Sequence, residues 1–230
     1  MTYKFNEKDH IHTLDGRPLM GVTSVLRIIN KPFLIQWAVN QAIGYIKENA
    51  PVESEVYTVS PDILKKAMKA HDRIKNRAGS WGTNVHKVIE NWIKLNIVPE
   101  DLDEMQQKAF DNFKEWVDEN KVEFLESEKH VWSEKMWVGG ICDLVIKMDG
   151  KKYIADIKTS SGIYKEAFFQ MGAYALCLED MDEHKDVEGY LVINLKKNGT
   201  IDTMMATDMD LNKRAFTSAL ELYRITESIL

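Results

Sequence analysis

The stretch ICDLVIKMDGKKYIADIKT, residues 141–159, decides the fold. Asp149–Gly150 at its centre predicts a two-residue type I′ turn, since both central residues of that turn need positive φ. The apolar residues on either side predict two antiparallel strands. Counting outward from the turn, Asp143 faces Asp156 across this predicted hairpin.

Two facing aspartates are unfavourable in a sheet unless something compensates their charge. Facing side chains have Cβ atoms roughly 5 Å apart. Like charges there cost up to about 1 kcal/mol when exposed and more when buried. A hard divalent cation removes this penalty, because such ions take several oxygen ligands. The hairpin therefore predicts a metal ion held by Asp143 and Asp156.

Lys158 lies two residues after Asp156, so it adds a cation to the same face of the strand. Between them, the backbone carbonyl of Ile157 can turn toward a metal. A lysine so placed can bind a scissile phosphate or orient and help deprotonate a water, with a metal lowering the pKa of that water. Asp-x-Lys alone favours a surface salt bridge between Asp156 and Lys158, and it is the facing Asp143 that favours the metal site instead.

Two helical pairs supply further polar candidates. His86 and Glu90 lie one turn apart, so Glu90 could orient a metal-binding imidazole. Gln170 and Tyr174 share a helix face directly after the 151–157 strand and could hydrogen-bond a phosphate or a base. The alternative for all four is an ordinary packed or surface side chain.

Composition bounds the possible functions of the 230-residue chain. The net charge of −6 excludes a protein that is basic throughout, although residues 61–79 carry a local net charge of +4. Two cysteines, Cys142 and Cys177, cannot form a disulfide framework or a four-cysteine metal site. No membrane span or signal segment is evident. We expect a protein of a reducing cytoplasm, in a bacterial or phage-infected cell.

Hydrophobic periodicity predicts helices first and strands later. A short hairpin turning at Asp15–Gly16 is followed by a helix capped by Thr23 or Ser24, and residues 49–60 form a loop. Gly79 and Gly82 are predicted to interrupt the next helices. The predicted strands are 122–132, 136–148, 151–157, 189–195 and 201–206, and the predicted helices are 33–46, 61–79, 83–95, 105–117, 163–178 and 211–230. This order predicts an α/β or α+β fold, a mixed sheet with an antiparallel meander at its centre and helices on its faces.

Four motifs in order resemble the PD-(D/E)XK nuclease superfamily, most closely its RecB-type exonuclease branch. They are GTNVH at 82–86, GICD at 140–143, DIKT at 156–159 and QMGAY at 170–174. The resemblance covers residues 82–174 closely and extends to about residue 206. It implies a restriction-endonuclease-like core with an N-terminal helical elaboration.

The resemblance also implies roles for particular residues. The metal ligands would be His86, Asp143, Asp156 and the Ile157 carbonyl, and the catalytic lysine would be Lys158. DNA contacts would fall on Thr159, Gln170 and Tyr174, and Glu128 matches an acidic position that recurs in the family. Glu90 is a candidate through its place one helical turn after His86. The implied cofactor is Mg²⁺ or Mn²⁺. An iron–sulfur cluster is not expected, because the chain lacks the four cysteines that bind it in the iron–sulfur members of this branch. ATP is not expected either, because a phosphate-binding GxxxxGK[ST] loop is missing.

The N-terminal part resembles the phage and mitochondrial single-strand DNA exonucleases of this branch. It implies an elaboration over 1–80 that forms a DNA arch, with a nuclease core over 81–230, together in one compact unit. Three aromatic residues (Phe33, Trp37 and Tyr45) and two basic ones (Lys69 and Arg73) would line such an arch.

The predicted function is that of a metal-dependent DNA nuclease, an exonuclease of recombination, repair or phage DNA metabolism. It would act on a single strand or a duplex end, with a recombination protein as a possible partner. The alternatives are a structure-specific endonuclease and a catalytically idle nucleic-acid-binding scaffold.

Overall fold

The computed structural model of the protein describes residues 2–229. The chain divides into two units. One unit contains the residues up to Ile29 and those from Val85 onward, and the other is Asn30–Asn84. The predicted division after residue 80, and the prediction of a single compact body, stay predictions.

Four short strands open the chain, a mainly helical part with one small hairpin follows, and three long strands then precede a helix, two strands and a last helix. The strands are β1 (Tyr3–Asn6), β2 (Ile11–Leu14), β3 (Arg17–Pro18), β4 (Met20–Gly21), β5 (Val52–Glu53), β6 (Val56–Tyr57), β7 (Glu123–Ser133), β8 (Val138–Met148), β9 (Lys151–Lys158), β10 (Val187–Leu195) and β11 (Ile201–Ala206). The helices are α1 (Val22–Val25), α2 (Phe33–Asn49), α3 (Pro61–Met68), α4 (Ala70–Leu95), α5 (Glu104–Glu119), α6 (Lys165–Asp180) and α7 (Met209–Ile229).

The large sheet is mixed. Its order is β11–β10–β9–β8–β4, and β7 also pairs with β8. The β9–β10 and β4–β8 pairs are parallel, and the other neighbours are antiparallel. Since β7 pairs with β8 over most of its length, β9 and β4 share the opposite edge of β8. The mixed sheet and the central antiparallel meander β7–β8–β9 agree with the prediction.

The register of the β8–β9 hairpin is the predicted one. Met148 pairs with Lys151, and the turn residues Asp149 and Gly150 have φ of 51° and 79°. Both values lie in the left-handed region that a type I′ turn requires. Local turn chemistry therefore sets which residues face each other at the far end of the hairpin.

Apolar residues of the sheet and of α6 form the core of the first unit. Met171 and Cys177 of α6 are fully buried, as are Ile154 of β9 and Val192 of β10. Gly172 lets α6 approach α7, because a Cβ there would lie 2.7 Å from the Asn212 backbone. α6 connects the two parallel strands β9 and β10, which fixes its place across the sheet.

The N-terminal segment differs from the prediction. The turn at Asp15–Gly16 is present, but it joins β2 to β3, and a second turn precedes β2. The following helix is short and begins after Gly21, with no side-chain cap from Thr23 or Ser24. The predicted loop over 49–60 contains the small β5–β6 hairpin.

The predicted interruption at Gly79 and Gly82 is wrong. α4 continues through both glycines from Ala70 to Leu95, and the break between helices falls at Lys69. A glycine inside a helix costs only about 1 kcal/mol. Buried residues such as Val85 and Ile89 offset that cost along the helix.

The unit Asn30–Asn84 holds α2, the β5–β6 hairpin, α3 and the start of α4. α3 begins as predicted, with Pro61 in its first turn and the Ser60 Oγ accepting from the Ile63 N–H. Two ring contacts join its helices: the Arg73 guanidinium lies 4.8 Å from the Tyr45 ring centroid, and Trp37 meets His71 edge-on.

No helix in the part of the chain that the structure describes is long and apolar enough to cross a bilayer.

Candidate active site

The β8–β9 ladder stops just before the two facing aspartates. Its last pair is Leu144 with Ala155, and Asp143 and Asp156 take the next two positions. Here the Ile157 N–H donates to Asp143 Oδ2 at 2.9 Å. A side chain thus replaces the strand partner, and both carboxylates lie where the strands stop pairing.

Asp156 is the most deeply buried of the candidate charges. Its side chain is 1% exposed, and neither oxygen has a hydrogen bond of good geometry. Lys158 Nζ lies 2.6 Å from Asp156 Oδ2 and forms an ion pair with it. Burial raises the pKa of Asp156, and nearby Asp143 adds to this while Lys158 opposes it.

The Lys158 ammonium is held in its charged form. Burial lowers the pKa of Lys158, but the carboxylates of Asp156 and Asp143 outweigh burial and leave the pKa raised. Lys158 is therefore a cation at neutral pH. In this form Lys158 has no free amine and cannot accept a proton.

His86, Glu128 and Asp143 converge from three elements. One ligand atom from each lies within 4.8 Å of the others, and His86 Nδ1 is 3.7 Å from Asp143 Oδ2. Their positions come from α4, β7 and β8 respectively. The structure thus brings His86 and Asp143 of the predicted metal set together with Glu128, which the sequence alone suggested only as a match to a family acid.

Glu128 has an unusual backbone and an unusual acidity. Its φ of 49° is left-handed in the middle of β7. Such conformations in non-glycine residues cost roughly 1–3 kcal/mol and cluster at functional sites. Burial, with the nearby charges of Asp143 and Glu90, raises the pKa of Glu128 to about 8. At neutral pH, this carboxyl group can therefore hold a proton.

Gln170 and Tyr174 continue the polar chain from Lys158. Lys158 Nζ donates to Gln170 Oε1 at 3.4 Å, and Gln170 Nε2 donates to the Tyr174 hydroxyl at 2.7 Å. Gly140 is needed for this packing, because a Cβ there would lie 2.7 Å from Tyr174 Cε1. Burial raises the pKa of Tyr174 well above its ordinary value, so the hydroxyl stays protonated.

The other predicted site residues belong neither to the His86–Glu128–Asp143 cluster nor to the hydrogen-bonded chain from Lys158 to Tyr174. Glu90 accepts a hydrogen bond from Lys94 at 2.8 Å, so its orientation of His86 stays a prediction. Thr159 follows Lys158 and is half-buried. Lys69 and Arg73 are exposed residues of the Asn30–Asn84 unit. The ligand role of the Ile157 carbonyl also stays a prediction.

Asn194 is a functional candidate that the sequence reasoning missed. It pairs with Lys158 in the parallel ladder and is fully buried. Its Oδ1 accepts from the Ser160 N–H at 3.0 Å, and its Nδ2 donates to the Ser160 carbonyl at 3.1 Å. Asn194 thereby holds the chain that leaves Lys158. The available signal was an asparagine inside the apolar run YLVINL of residues 190–195.

The residues at the end of the β8–β9 ladder fit a divalent cation. Asp156 Oδ2 is compensated by the ion pair with Lys158, and its buried Oδ1 has no hydrogen bond, which is costly unless something compensates it. His86, Glu128 and Asp143 form a donor cluster that does not include Asp156, although Asp143 is close enough to raise the pKa of Asp156. Carboxylate oxygens with an imidazole suit Mg²⁺ or Mn²⁺.

A sequence profile described as the PD-(D/E)XK nuclease superfamily matches residues 63–227, more than two thirds of the chain. The chain belongs to the PD-(D/E)XK nuclease superfamily. Its mixed sheet flanked by helices is the restriction-endonuclease-like α/β fold that the resemblance implied. Membership makes it a nuclease, a hydrolase that acts on nucleic acid, in a superfamily whose members generally use divalent metals.

A comparison of this nuclease with curated proteins finds no match. Among solved structures, "Crystal structure of SSO0001" is similar at a TM-score of 0.33 and 11% identity, covering 82% of this chain and 86% of the other. A phage-related exonuclease from Haemophilus somnus 129PT is similar at a TM-score of 0.32 and 11% identity, covering 84% and 94%. Scores this low do not establish kinship, and the family assignment rests on the sequence match.

Proposed function

We propose that this nuclease is a Mg²⁺- or Mn²⁺-dependent deoxyribonuclease of the RecB-type branch, an exonuclease that hydrolyses phosphodiester bonds. The observation that carries the proposal is the buried Asp156–Lys158 ion pair beside the His86–Glu128–Asp143 cluster. A fold built only for stability would not keep this combination, because buried charges are costly without compensation.

The proposed ligands are His86, Asp143, Asp156 and the Ile157 carbonyl, and Glu128 joins them on geometry. When bound, the ion would supply charge stabilisation and a more acidic water. Asp143 is already fixed by its hydrogen bond from the Ile157 N–H. A carboxylate held in this way keeps its orientation through a catalytic cycle.

Lys158 acts in this proposal as a fixed cation. Since the carboxylates keep it protonated, it holds a phosphate oxygen or orients the attacking water by donating a hydrogen bond. Burial and nearby carboxylates raise the pKa of Glu128 to about 8, so Glu128 would have to release its proton when it binds the ion. Gln170 keeps the ammonium in place through its Oε1.

The proposed substrate is DNA, as a single strand or a duplex end. Gln170, Tyr174 and Thr159 would contact the strand near the reacting phosphate, and Lys69 and Arg73 would contact phosphates farther along it. The role would be in recombination, repair or phage DNA metabolism, with a recombination protein as partner. The free, buried cysteines Cys142 and Cys177 are compatible with a reducing cytoplasm.

The test uses 5′- and 3′-labelled single- and double-stranded DNA with Mg²⁺, Mn²⁺ or EDTA. Release of mononucleotides that EDTA abolishes supports the exonuclease. Internal cuts would replace it with the structure-specific endonuclease. Metal-independent binding without any product would leave a nucleic-acid-binding scaffold. Asp156→Asn is the inactive control, and Asp149→Asn at the tip of the same hairpin is the matched control.

A further inference from the structure

A cavity of about 420 Å³ opens beside the candidate active site. Its walls come from the turn before β2, from the segment around α1 and from the sheet. The lining includes Asp9, His10, His12, Arg27, Glu128 and Asp143. Ligand pockets in proteins begin at about 300 Å³. Because Glu128 and Asp143 belong to both, whatever occupies the cavity touches the site where the proposed chemistry occurs.

The cavity presents a side chain at a position where glycine would be easier. His10 has a φ of 55°, in the left-handed region that residues with a Cβ adopt at some cost. Its ring is exposed, and it meets the Phe5 ring edge-on at 5.1 Å between centroids. The two ring planes lie 77° apart, so Phe5 and His10 do not stack face to face.

The turn that carries His10 is anchored by packed rings. Phe5 stacks on His12 at 4.6 Å, and the Tyr3 hydroxyl hydrogen-bonds His12 Nδ1 at 2.6 Å. Tyr3 also stacks on Trp132 at 4.5 Å. Trp132 lies on β7, the strand that carries Glu128. The position of His10 is therefore tied to the strand that forms part of the active site.

The charges of the cavity indicate what part of a nucleotide it takes. Apart from the proposed metal ligands Glu128 and Asp143, the charged side chains among the described residues that line the cavity are Asp9 and Arg27. This part of the cavity has no excess of positive charge that would select a second phosphate. An uncharged base needs no such excess, and bases stack on histidine and other rings when single strands are bound.

We propose that the cavity takes the base of a nucleotide next to the reacting phosphate and that His10 is its base-contacting residue. This inference rests on the proposed function, because it places a nucleic acid strand at the ladder end. The left-handed backbone at His10 is then the cost of presenting a ring where glycine would fit better.

The experiment compares oligonucleotides that carry one abasic residue at successive positions. Wild-type protein should lose about tenfold in cleavage rate when the missing base is the one in the cavity, since a stacked base is worth roughly 1–3 kcal/mol. His10→Gly and His10→Asn should cleave intact and abasic strands equally. Both should melt no lower than wild type, because glycine and asparagine tolerate the left-handed conformation.

Asn96→Gly is the matched control, since Asn96 is exposed with a φ of 54° in the same unit. It should keep the wild-type response to abasic strands. Wild-type cleavage that is indifferent to every abasic position would overturn the role of His10 while leaving the nuclease proposal intact. The role of His10 would likewise be overturned if the His10 variants still cleaved the abasic strand more slowly than the intact one.

Binding separates the two proposals. The Lys158→Ala variant should bind the abasic strand about tenfold more weakly than the intact one, as measured by fluorescence anisotropy. Base-dependent binding without metal-dependent cleavage by wild type would overturn the nuclease proposal and leave the base pocket standing. Equal binding of both strands, together with cleavage, would overturn the base pocket alone.

Discussion

The sheet around β8 and β9 and the helical unit Asn30–Asn84 use apolar residues in different ways. In the sheet, Val145, Ile154 and Val192 are fully buried, and the charged residues are the exceptions. In the helical unit, α2 has no fully buried residue, and Ile35 is 71% exposed. Close packing therefore fixes the geometry of the sheet tightly, as a catalytic site needs. The helical unit has fewer such constraints.

The largest effect should come from the charge at the sheet site. Lys158→Ala should lower cleavage by about a thousandfold or more, because it removes the cation that we propose holds the reacting phosphate or orients the attacking water. It also leaves Asp156 buried beside Asp143 without its ion-pair partner. Initial rates on labelled DNA measure this. Lys165→Ala, an exposed lysine of α6, should keep the wild-type rate, and an active Lys158→Ala would remove Lys158 from the mechanism.

Core truncations should separate the two regions in stability. Met171→Ala in α6 should lower the free energy of unfolding by about 2–4 kcal/mol, since Met171 is fully buried. Ile35→Ala in α2 should change it by less than about 0.5 kcal/mol. Urea unfolding measures both. Equal losses at the two positions would mean that the contrast in burial does not describe the folded protein.

Asn194→Leu should cost about 2 kcal/mol of stability. It leaves the Ser160 N–H and carbonyl without their partners, which costs about 1–3 kcal/mol when the groups are shielded from water. Without these hydrogen bonds, the backbone at Ser160 should become more mobile and Lys158 should be positioned less well. We therefore expect kcat to fall by a larger factor than KM rises. Thermal unfolding and steady-state rates are the measurements. Asn198→Ala in the β10–β11 turn is the control, and unchanged kcat would limit Asn194 to stability.

Charge reversal in the helical unit should weaken DNA binding, and at Arg73 it also removes the contact with the Tyr45 ring. Lys69→Glu with Arg73→Glu should weaken DNA binding by about tenfold or more. It should also reduce the slope of log affinity against log salt by about 0.7 for each phosphate of a single strand that the variant no longer neutralises. Titrations at several salt concentrations measure the slope. An unchanged slope would show that Lys69 and Arg73 do not contact DNA. Lys65→Ala is the control that tests whether removing any exposed lysine of this segment lowers the slope.

The smallest effect concerns pH. Burial, with the nearby charges of His130 and His10, lowers the pKa of His12 to about 4. The unfolded chain has a histidine pKa near 6.5. Between these values the unfolded state binds a proton that the folded state does not, so stability falls as pH drops from about 6.5 to 4.

We expect a loss from His12 of about 1 kcal/mol, since solvent screens part of the interaction. Thermal unfolding at pH 7 and pH 5 measures it. His12→Asn should lose less stability than wild type over this interval. An equal loss in both proteins would assign the pH dependence to other groups.

Several elements followed from local chemistry in the sequence. Asp149–Gly150 determined the β8–β9 register because a type I′ turn admits few residue types. That register aligned Asp143 with Asp156, and the two-residue period of a strand put Lys158 beside them. The prediction failed at Gly79 and Gly82, where packing along α4 outweighs the small helix penalty of glycine.

The sequence by itself determined the family, the mixed α/β fold and the two aspartates with their lysine, because these depend on short spacings and turn chemistry. Only the tertiary structure decided which distant residues join them. Glu128 meets His86 and Asp143 from its own left-handed position in β7, and the parallel pairing of β9 with β10 places Asn194 beside Lys158. His10 lines the neighbouring cavity together with Glu128 and Asp143. Such contacts connect residues far apart in the chain, and no local spacing encodes them.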